Sequence, residues 1–538
     1  MRRKILIILF IFLLGFSLRM AFSPAENETA DPFEILTAAK TLYETGRYLL
    51  PGIGSADLKV HYTFAGWPVG FPLMLTVIFK FFGYSEFYVR LFTIFLSSLT
   101  IVFVSIIANL FFQDKIAYLT GLLMATHPLL VSFSGRIFTN NPSLLFLIVS
   151  LTFLLLSVLE RDREVRFVGP SVILGSKKRL LCFLMSFLFL GYLLTIRDTE
   201  AIFIPAYLYV LYKSGFFLFN FDRANLKVIT NLFLMATAAF VIGYIPSIYY
   251  NYQNYGVIIT STHYQYGGRL DFNYMLTGSG SIMGLPGAII IIITGLIYCF
   301  PIVSLFFVEK FKDKNVFFFV VMFILMFLPL IVINGSYAVT STGASPRYIL
   351  PLIPVACILT AYGLTNLSQK IRLFWRIGIF FIILVWQLFL TYPLPALFKI
   401  SPKFAYAAHY APVYQIYPFE NYPAHINALS KWVKNHTPKN SVIIATSSNP
   451  YHFYYYAERD VITFPNVTPD AFKNIIDRPT FLVEDHEATY NAEAINKIKD
   501  LIKSIGLDYS VVGEIKLFSP KIGYTKMHIY QITHSTNK

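Results

Sequence analysis

Apolar runs close to the roughly 20 residues needed to cross a bilayer core recur along this chain, at 91–112, 228–250 and 316–334 among others. One such run would be an anchor, but so many predict a bundle of membrane-spanning helices. Only 14% of the 538 residues are charged and 56% are hydrophobic, against about 25% charged in soluble globular chains. The formal charge of +15 does not point to nucleic acid, because the basic residues cluster in short segments between apolar runs, as they do in cytoplasmic loops. Cys182, Cys299 and Cys357 lie inside apolar runs far apart in sequence, which offers neither a disulfide framework nor a zinc site.

Loop charge sets the topology. Arg2, Arg3 and Lys4 precede an apolar run that continues past Arg19 to Phe22, and the Ala-Phe-Ser-Pro that follows is a poor cleavage site. The segment therefore reads as a retained first helix rather than a signal peptide, with a cytoplasmic N-terminus. Residues 69–83 are apolar but short for a span, and they contain Pro72 and Lys80. If they lie along the outer surface, the basic loops 160–179, 213–227, 309–314 and 369–372 all become cytoplasmic, as the positive-inside rule requires. The expectation is thus a polytopic α-helical membrane protein of about eleven transmembrane helices. They are placed near 4–22, 89–112, 116–134, 141–159, 180–196, 199–213, 228–250, 283–307, 316–334, 348–367 and 373–393.

The membrane module occupies 1–393, with a large first external loop at about 23–88. From 394 to 538 the composition becomes that of a soluble domain. Strand-like 441–446, 480–483, 509–518 and 528–533 alternate with helix-like 425–435, 469–476 and 492–505, so a small α/β domain is expected. An odd number of spans puts it outside the cytoplasm.

The external loops carry many polar and aromatic groups, including Glu26, Glu28, Asp31, Glu34, Arg47, Asp57, Lys59, His61 and Trp67 in the first loop. A carboxylate at the mouth of a membrane cavity can serve as a general base when an acceptor hydroxyl or amine comes within hydrogen-bonding reach. Arg90, Arg136, Arg269 and Arg347 sit at or near external helix ends, where cations can pair with a lipid phosphate. Such arginines also snorkel to the interface without binding anything. His61 and His263 are further candidates, set against the ordinary case of a surface histidine.

The residues then resemble a family. Arg19 ending the first helix, external Asp31, helix-like 33–44, Gly46, the stretch Trp67-Pro68-Val69-Gly70-Phe71-Pro72, and Phe82-Gly83 before Arg90-Leu91 are similar to the opening of GT-C glycosyltransferases. The nearest branch is the protein O-mannosyltransferase and aminoarabinose-transferase group. The likeness continues through His127-Pro128, Ser134-Gly135-Arg136, Arg197 and Arg347-Tyr348-Ile349-Leu350-Pro351. It implies a polyprenyl-phosphate-linked sugar donor, a protein, glycan or lipid acceptor, and Asp31 as catalytic base. Glu34, His61, Arg90, Arg136, Asn141, Arg269, Arg347 and Tyr348 are the implied substrate-binding positions.

The chain departs from the group in three places. Asp31-Pro32 stands where Asp-Glu is usual, Trp67 stands where a basic residue precedes the proline pair, and Asn141 stands where the family has an aspartate. Asp31-Pro32 also resembles oligosaccharyltransferase catalytic subunits, although no Trp-Trp-Asp motif is present. A lipid-sugar flippase or other transporter would also have many helices, but transporters place polar groups mid-membrane and often carry inverted repeats. Acids and histidines lack compact ligand spacing in sequence, so no cofactor is implied. A metal-dependent version would draw its acids from separate loops.

Overall fold

The computed structural model describes residues 2–22, 30–51, 62–64, 67–161, 165–217, 223–258, 313–337, 346–370, 424–446, 451–463, 477–484, 491–519 and 523–534, with a few scattered residues between. It divides into two compact units. The helical unit comprises Met1–Pro24, Gly66–Phe71 and Glu86–Ile416. The α/β unit comprises Ala25–Ala65, Pro72–Ser85 and Tyr417–Lys538, so it takes in most of the first loop as well as the C-terminal segment.

The first elements in chain order are α1 (Arg2–Phe22), α2 (Ala30–Thr45), α3 (Gly70–Phe82), α4 (Glu86–Phe111), α5 (Asp114–Thr126), α6 (Pro128–Ser134) and α7 (Asn140–Val158). They are followed by α8 (Pro170–Gly175), α9 (Lys177–Ile196), α10 (Ile204–Lys213) and α11 (Arg223–Tyr255). Among the described residues, six helices are long and apolar enough to cross a membrane: Arg3–Ala21, Glu86–Phe111, Asn140–Val158, Lys177–Ile196, Leu226–Asn254 and Ile349–Asn366. The pair α5 and α6 makes a seventh if counted as one bent span. The chain is a multi-pass membrane protein.

A further helix, Lys314–Tyr337, covers the expected span at 316–334. The expected spans at 283–307 and 373–393 lie almost wholly outside the described residues. The segment 199–213 is not one regular helix: a 3-10 turn, Asp198–Phe203, leads into the ten-residue α10. At 1.5 Å per residue α10 reaches only about half of a 30 Å hydrocarbon core. The apolar 69–83 forms the 13-residue α3.

Polar side chains inside the helical unit turn to the backbone. In α4, Ser98, Thr100 and Ser105 donate to the carbonyls of Ile94, Leu96 and Ile101, so each hydroxyl is satisfied within its own helix. Helices α9 and α11 meet through glycine. A Cβ at Gly191 would run into the Phe240 carbonyl, and one at Gly243 into the Leu188 carbonyl. Small residues permit this backbone approach, as is common between membrane helices.

In the α/β unit, strands β1 (Leu49–Pro51) and β2 (Tyr62–Phe64) pair antiparallel in the first loop. In the helical unit, β3 (Leu159–Arg161) and β4 (Val165–Phe167) form a second small ribbon. The C-terminal segment folds as β5 (Val442–Ala445), β6 (Asp460–Thr463), β7 (Thr480–Val483), β8 (Leu507–Ser519) and β9 (Gly523–His534), in the order β6-β5-β7-β9-β8. The strands β6, β5 and β7 are parallel, and β9 and β8 are antiparallel to their neighbours.

Alternate residues of the central strands feed two cores. Ile443, Ala445, Phe481 and Val483 pack with Leu429 and Val433 of the helix Ala424–His436. Val442, Ile444 and Leu482 pack with Ile498 and Ile502 of the helix Asn491–Ser504. Strands covered on both faces read as near-continuous apolar runs, which is why β5 and β7 are legible. The short edge strand β6 was not expected, and most of the helix expected at 469–476 lies outside the described residues.

Candidate functional site

Asp31 is the second residue of α2, inside its first turn rather than preceding it. An acidic group there complements the positive end of the helix dipole, and Pro32 is tolerated because first-turn N–H groups have no helical partner. Glu34 lies three residues further on and is half-buried. Downstream the helix is buried through Ile35, Leu36, Ala38, Ala39, Lys40 and Leu42.

Within the helical unit, a break between α5 and α6 organises another group of expected residues. The pair bends by 53° at His127-Pro128. Pro128 has no N–H to offer the Met124 carbonyl, and buried Arg19 takes its place. Its Nη2 donates to Met124 O at 3.1 Å, Nη1 to Ala125 O and Gly15 O at 3.1 Å, and Nε to Ser97 Oγ at 3.1 Å.

The far end of α6 is mended in the same manner. Asn141 Nδ2 donates to the carbonyls of Phe133 at 2.6 Å and Ser134 at 3.2 Å. An aspartate carboxylate could not donate these bonds, which gives the asparagine at this position a structural reason. Its Oδ1 is buried and has no hydrogen-bond partner among the described residues. Arg136 is buried beside it, with its guanidinium carbon 5.0 Å from the Phe133 ring centroid.

The 3-10 turn Pro346–Leu352, which contains Arg347 and Tyr348, packs against α6 and α7. The fold therefore brings the backbone of 346–352 to α6 and α7, whose junction holds Arg136 and Asn141. The side chains of Asp31, Arg347 and Tyr348 lie outside what the structure describes, as do His61 and Arg269 altogether. Arg90 is an intrahelical partner of Glu86, with its Nε 2.8 Å and Nη2 2.6 Å from Glu86 Oε1.

Sequence reasoning passed over Glu200. It is buried in the turn after α9, where its Oε1 accepts from Ser143 Oγ at 3.2 Å and Arg197 Nη1 at 3.4 Å. The signal available was an ionisable residue at the edge of an apolar run, which is a functional candidate by default. Lys40 was passed over too. Burial pulls its pKa down, against the opposing pull of Glu44 and Glu458. Among the described residues no group of three or more His, Cys, Asp or Glu is placed to hold a metal ion.

Residues 67–250 match the sequence profile of the family described as dolichyl-phosphate-mannose-protein mannosyltransferase. No curated protein matches the chain by sequence. The crystal structure of ArnT from Cupriavidus metallidurans bound to undecaprenyl phosphate aligns over 98% of this chain and 97% of its own, with a TM-score of 0.58 and 12% identity. The oligosaccharyltransferase AglB from Archaeoglobus fulgidus, in complex with an inhibitory peptide and a dolichol-phosphate, aligns over 97% of this chain and 74% of its own, with a TM-score of 0.52 and 12% identity. The profile match covers the early helices, and the fold shared with ArnT and AglB extends over almost the whole chain, so the chain is similar to the GT-C membrane glycosyltransferases in both respects.

Proposed function

We propose that the protein transfers a sugar from a polyprenyl-phosphate-linked donor to a protein, glycan or lipid acceptor on the external face of the cell membrane. The observation that carries this reading is the likeness to undecaprenyl-phosphate-bound ArnT, which extends over 98% of this chain and 97% of that one. In this reading the bundle has about eleven spans, the N-terminus is cytoplasmic, and the membrane module of 1–393 is followed by an extracytoplasmic α/β domain at 394–538.

The chemistry follows from the donor. Its polyprenyl tail stays in the bilayer while the phosphodiester lies at headgroup level. Asp31 accepts the proton of the acceptor hydroxyl or amine, whose oxygen or nitrogen bonds to the anomeric carbon as the bond to phosphate breaks. The electron pair leaves on the phosphate oxygen, which gains negative charge, and a positioned guanidinium stabilises that charge. Arg136 and Arg347 are assigned this role because the turn 346–352 packs against α6 and α7, the two helices that flank Arg136. Arg90, Arg269, Glu34, His61, Asn141 and Tyr348 remain assigned to substrate binding, and the open Oδ1 of Asn141 suits a sugar hydroxyl.

An oligosaccharyltransferase-like enzyme is the second reading, favoured by Asp31-Pro32 and the AglB likeness. It ranks lower because this chain spans 74% of AglB. Purified protein incubated with a polyprenyl-phosphate sugar and a mixed acceptor pool is expected to release polyprenyl phosphate. Release only from a diphosphate-linked donor would favour the second reading, and release from neither would refute both.

A further inference from the structure

The α/β unit contains a basic residue in an aromatic cage, on the helix that carries Asp31 in its first turn. Lys40 is 7% exposed, and its Nζ lies 5.1, 5.7 and 5.8 Å from the ring centroids of Tyr84, Tyr454 and Tyr455. A desolvated ammonium against aromatic faces is held by their quadrupoles. Tyr84 closes the cage from both sides. Its hydroxyl donates to Glu44 Oε1, also on α2, at 2.8 Å, and its carbonyl accepts from the Tyr455 hydroxyl at 3.0 Å.

A second contact lies nearer the start of the helix. Phe33, two residues after Asp31, packs against His452 and Tyr456, with ring centroids 5.8 Å away in each case. Phe33 and Lys40 are seven residues apart, about two full turns, so they share one face of α2. Position 31 lies nine residues from Lys40 and so on the opposite face. The aromatic run thus grips one side of the helix at two heights, leaving the side of position 31 unclaimed by either grip.

We propose that the aromatic segment 452–456 is a positioning element for the helix carrying Asp31, with Lys40 as the anchor residue it holds. This rests on the reading of Asp31 as base and adds a function for the C-terminal segment: it fixes the angle and depth of the base without touching substrate. A small rotation of α2 about a lost anchor would move the first turn, and misplacement on the order of 1 Å can cost about a hundredfold in rate.

The test is a double-mutant cycle on the full-length enzyme, with Lys40→Met, Lys40→Arg, Asp31→Asn and the Lys40→Met/Asp31→Asn double variant. Lys40→Met is expected to lower kcat at least tenfold with the donor KM little changed, and Lys40→Arg to restore most of it, because a guanidinium also stacks on aromatic rings. In the double variant, the loss should not exceed that of Asp31→Asn alone, since an anchor acting through the base has nothing left to position. Additive losses, or a fully active Lys40→Met enzyme, would overturn the positioning role while leaving Asp31 in place. Normal transfer by Asp31→Asn would instead remove the base assignment. Should Lys40→Met fail to fold, Tyr455→Phe, which deletes only the hydroxyl bonded to Tyr84, is expected to give a smaller loss of kcat with the same KM pattern, and unchanged kcat would count against the proposal.

Discussion

Arg19 in the helical unit and Glu484 in the α/β unit are both buried charges, yet they are satisfied by different kinds of partner. Arg19 spends its donors on three backbone carbonyls and a serine hydroxyl. Glu484 is held mostly by the side chains of other residues. Its Oε1 accepts from Tyr530 at 2.6 Å and Lys499 at 3.3 Å, and its Oε2 from the ring and backbone nitrogens of His528 at 2.8 and 3.1 Å. The first arrangement supplies donors to the carbonyls of a broken helix, and the second ties the end of β7 to β9 and to the helix Asn491–Ser504. The bundle should therefore be sensitive to the loss of individual groups, and the α/β unit to acid.

The largest effect should come from Arg19→Leu. It strands the Met124 and Ala125 carbonyls at the bend, and two buried acceptors without partners cost on the order of 3 kcal/mol. Thermal unfolding in detergent should register this as a marked drop in midpoint, with Arg19→Lys intermediate. A neutral Arg19→Leu would mean that the bend is held by packing alone.

A smaller loss is expected from Gly243→Val, which pushes a side chain into the Leu188 backbone where α9 and α11 cross. Overpacking of this kind typically costs about 1–3 kcal/mol. The same assay should show it, and the α/β unit should be unaffected when its amide exchange is followed separately. Equal loosening of both units would contradict their treatment as separate cores.

The smallest effect is a pH dependence confined to the α/β unit. Burial pushes the Glu484 carboxyl up, but hydrogen bonds from Tyr530 and His528, with the charge of Lys499, outweigh it and leave the pKa below the ordinary 4.5. A depressed carboxyl contributes stability that is fully present above its unfolded value and lost as pH falls through the folded one. Amide protection in β7 and β9 should therefore decline below about pH 4.5, and Glu484→Gln should flatten that decline. Equal acid sensitivity in the variant would assign it elsewhere.

Much of the fold was legible because its signals are local. Apolar length marks the spans, and the runs 442–445 and 480–483 mark strands buried on both faces, whereas the bend at Pro128 falls inside the single span expected at 116–134. The candidate site was legible only in part. Asp31 and the arginines stand out by residue type and position, but the reason for asparagine at 141 depends on which carbonyls α6 leaves open. The cage around Lys40 joins residues on either side of a 371-residue separation between Tyr84 and Tyr455, and no periodicity reports a contact of that range. Glycines 191 and 243 were equally silent, because their role exists only where two helices cross.

The central claim is that Asp31 is the base of a lipid-linked sugar transfer, and Asp31→Asn tests it most directly. Asparagine keeps the size and a polar oxygen in the first turn of α2 while removing the proton acceptor. The variant should unfold at the same temperature as the parent and bind polyprenyl-phosphate sugar with unchanged affinity. Release of polyprenyl phosphate should fall at least about a hundredfold, the lower end for loss of general-base catalysis. Transfer at close to the parental rate by a folded, donor-binding Asp31→Asn enzyme would contradict the assignment and turn attention to Glu34.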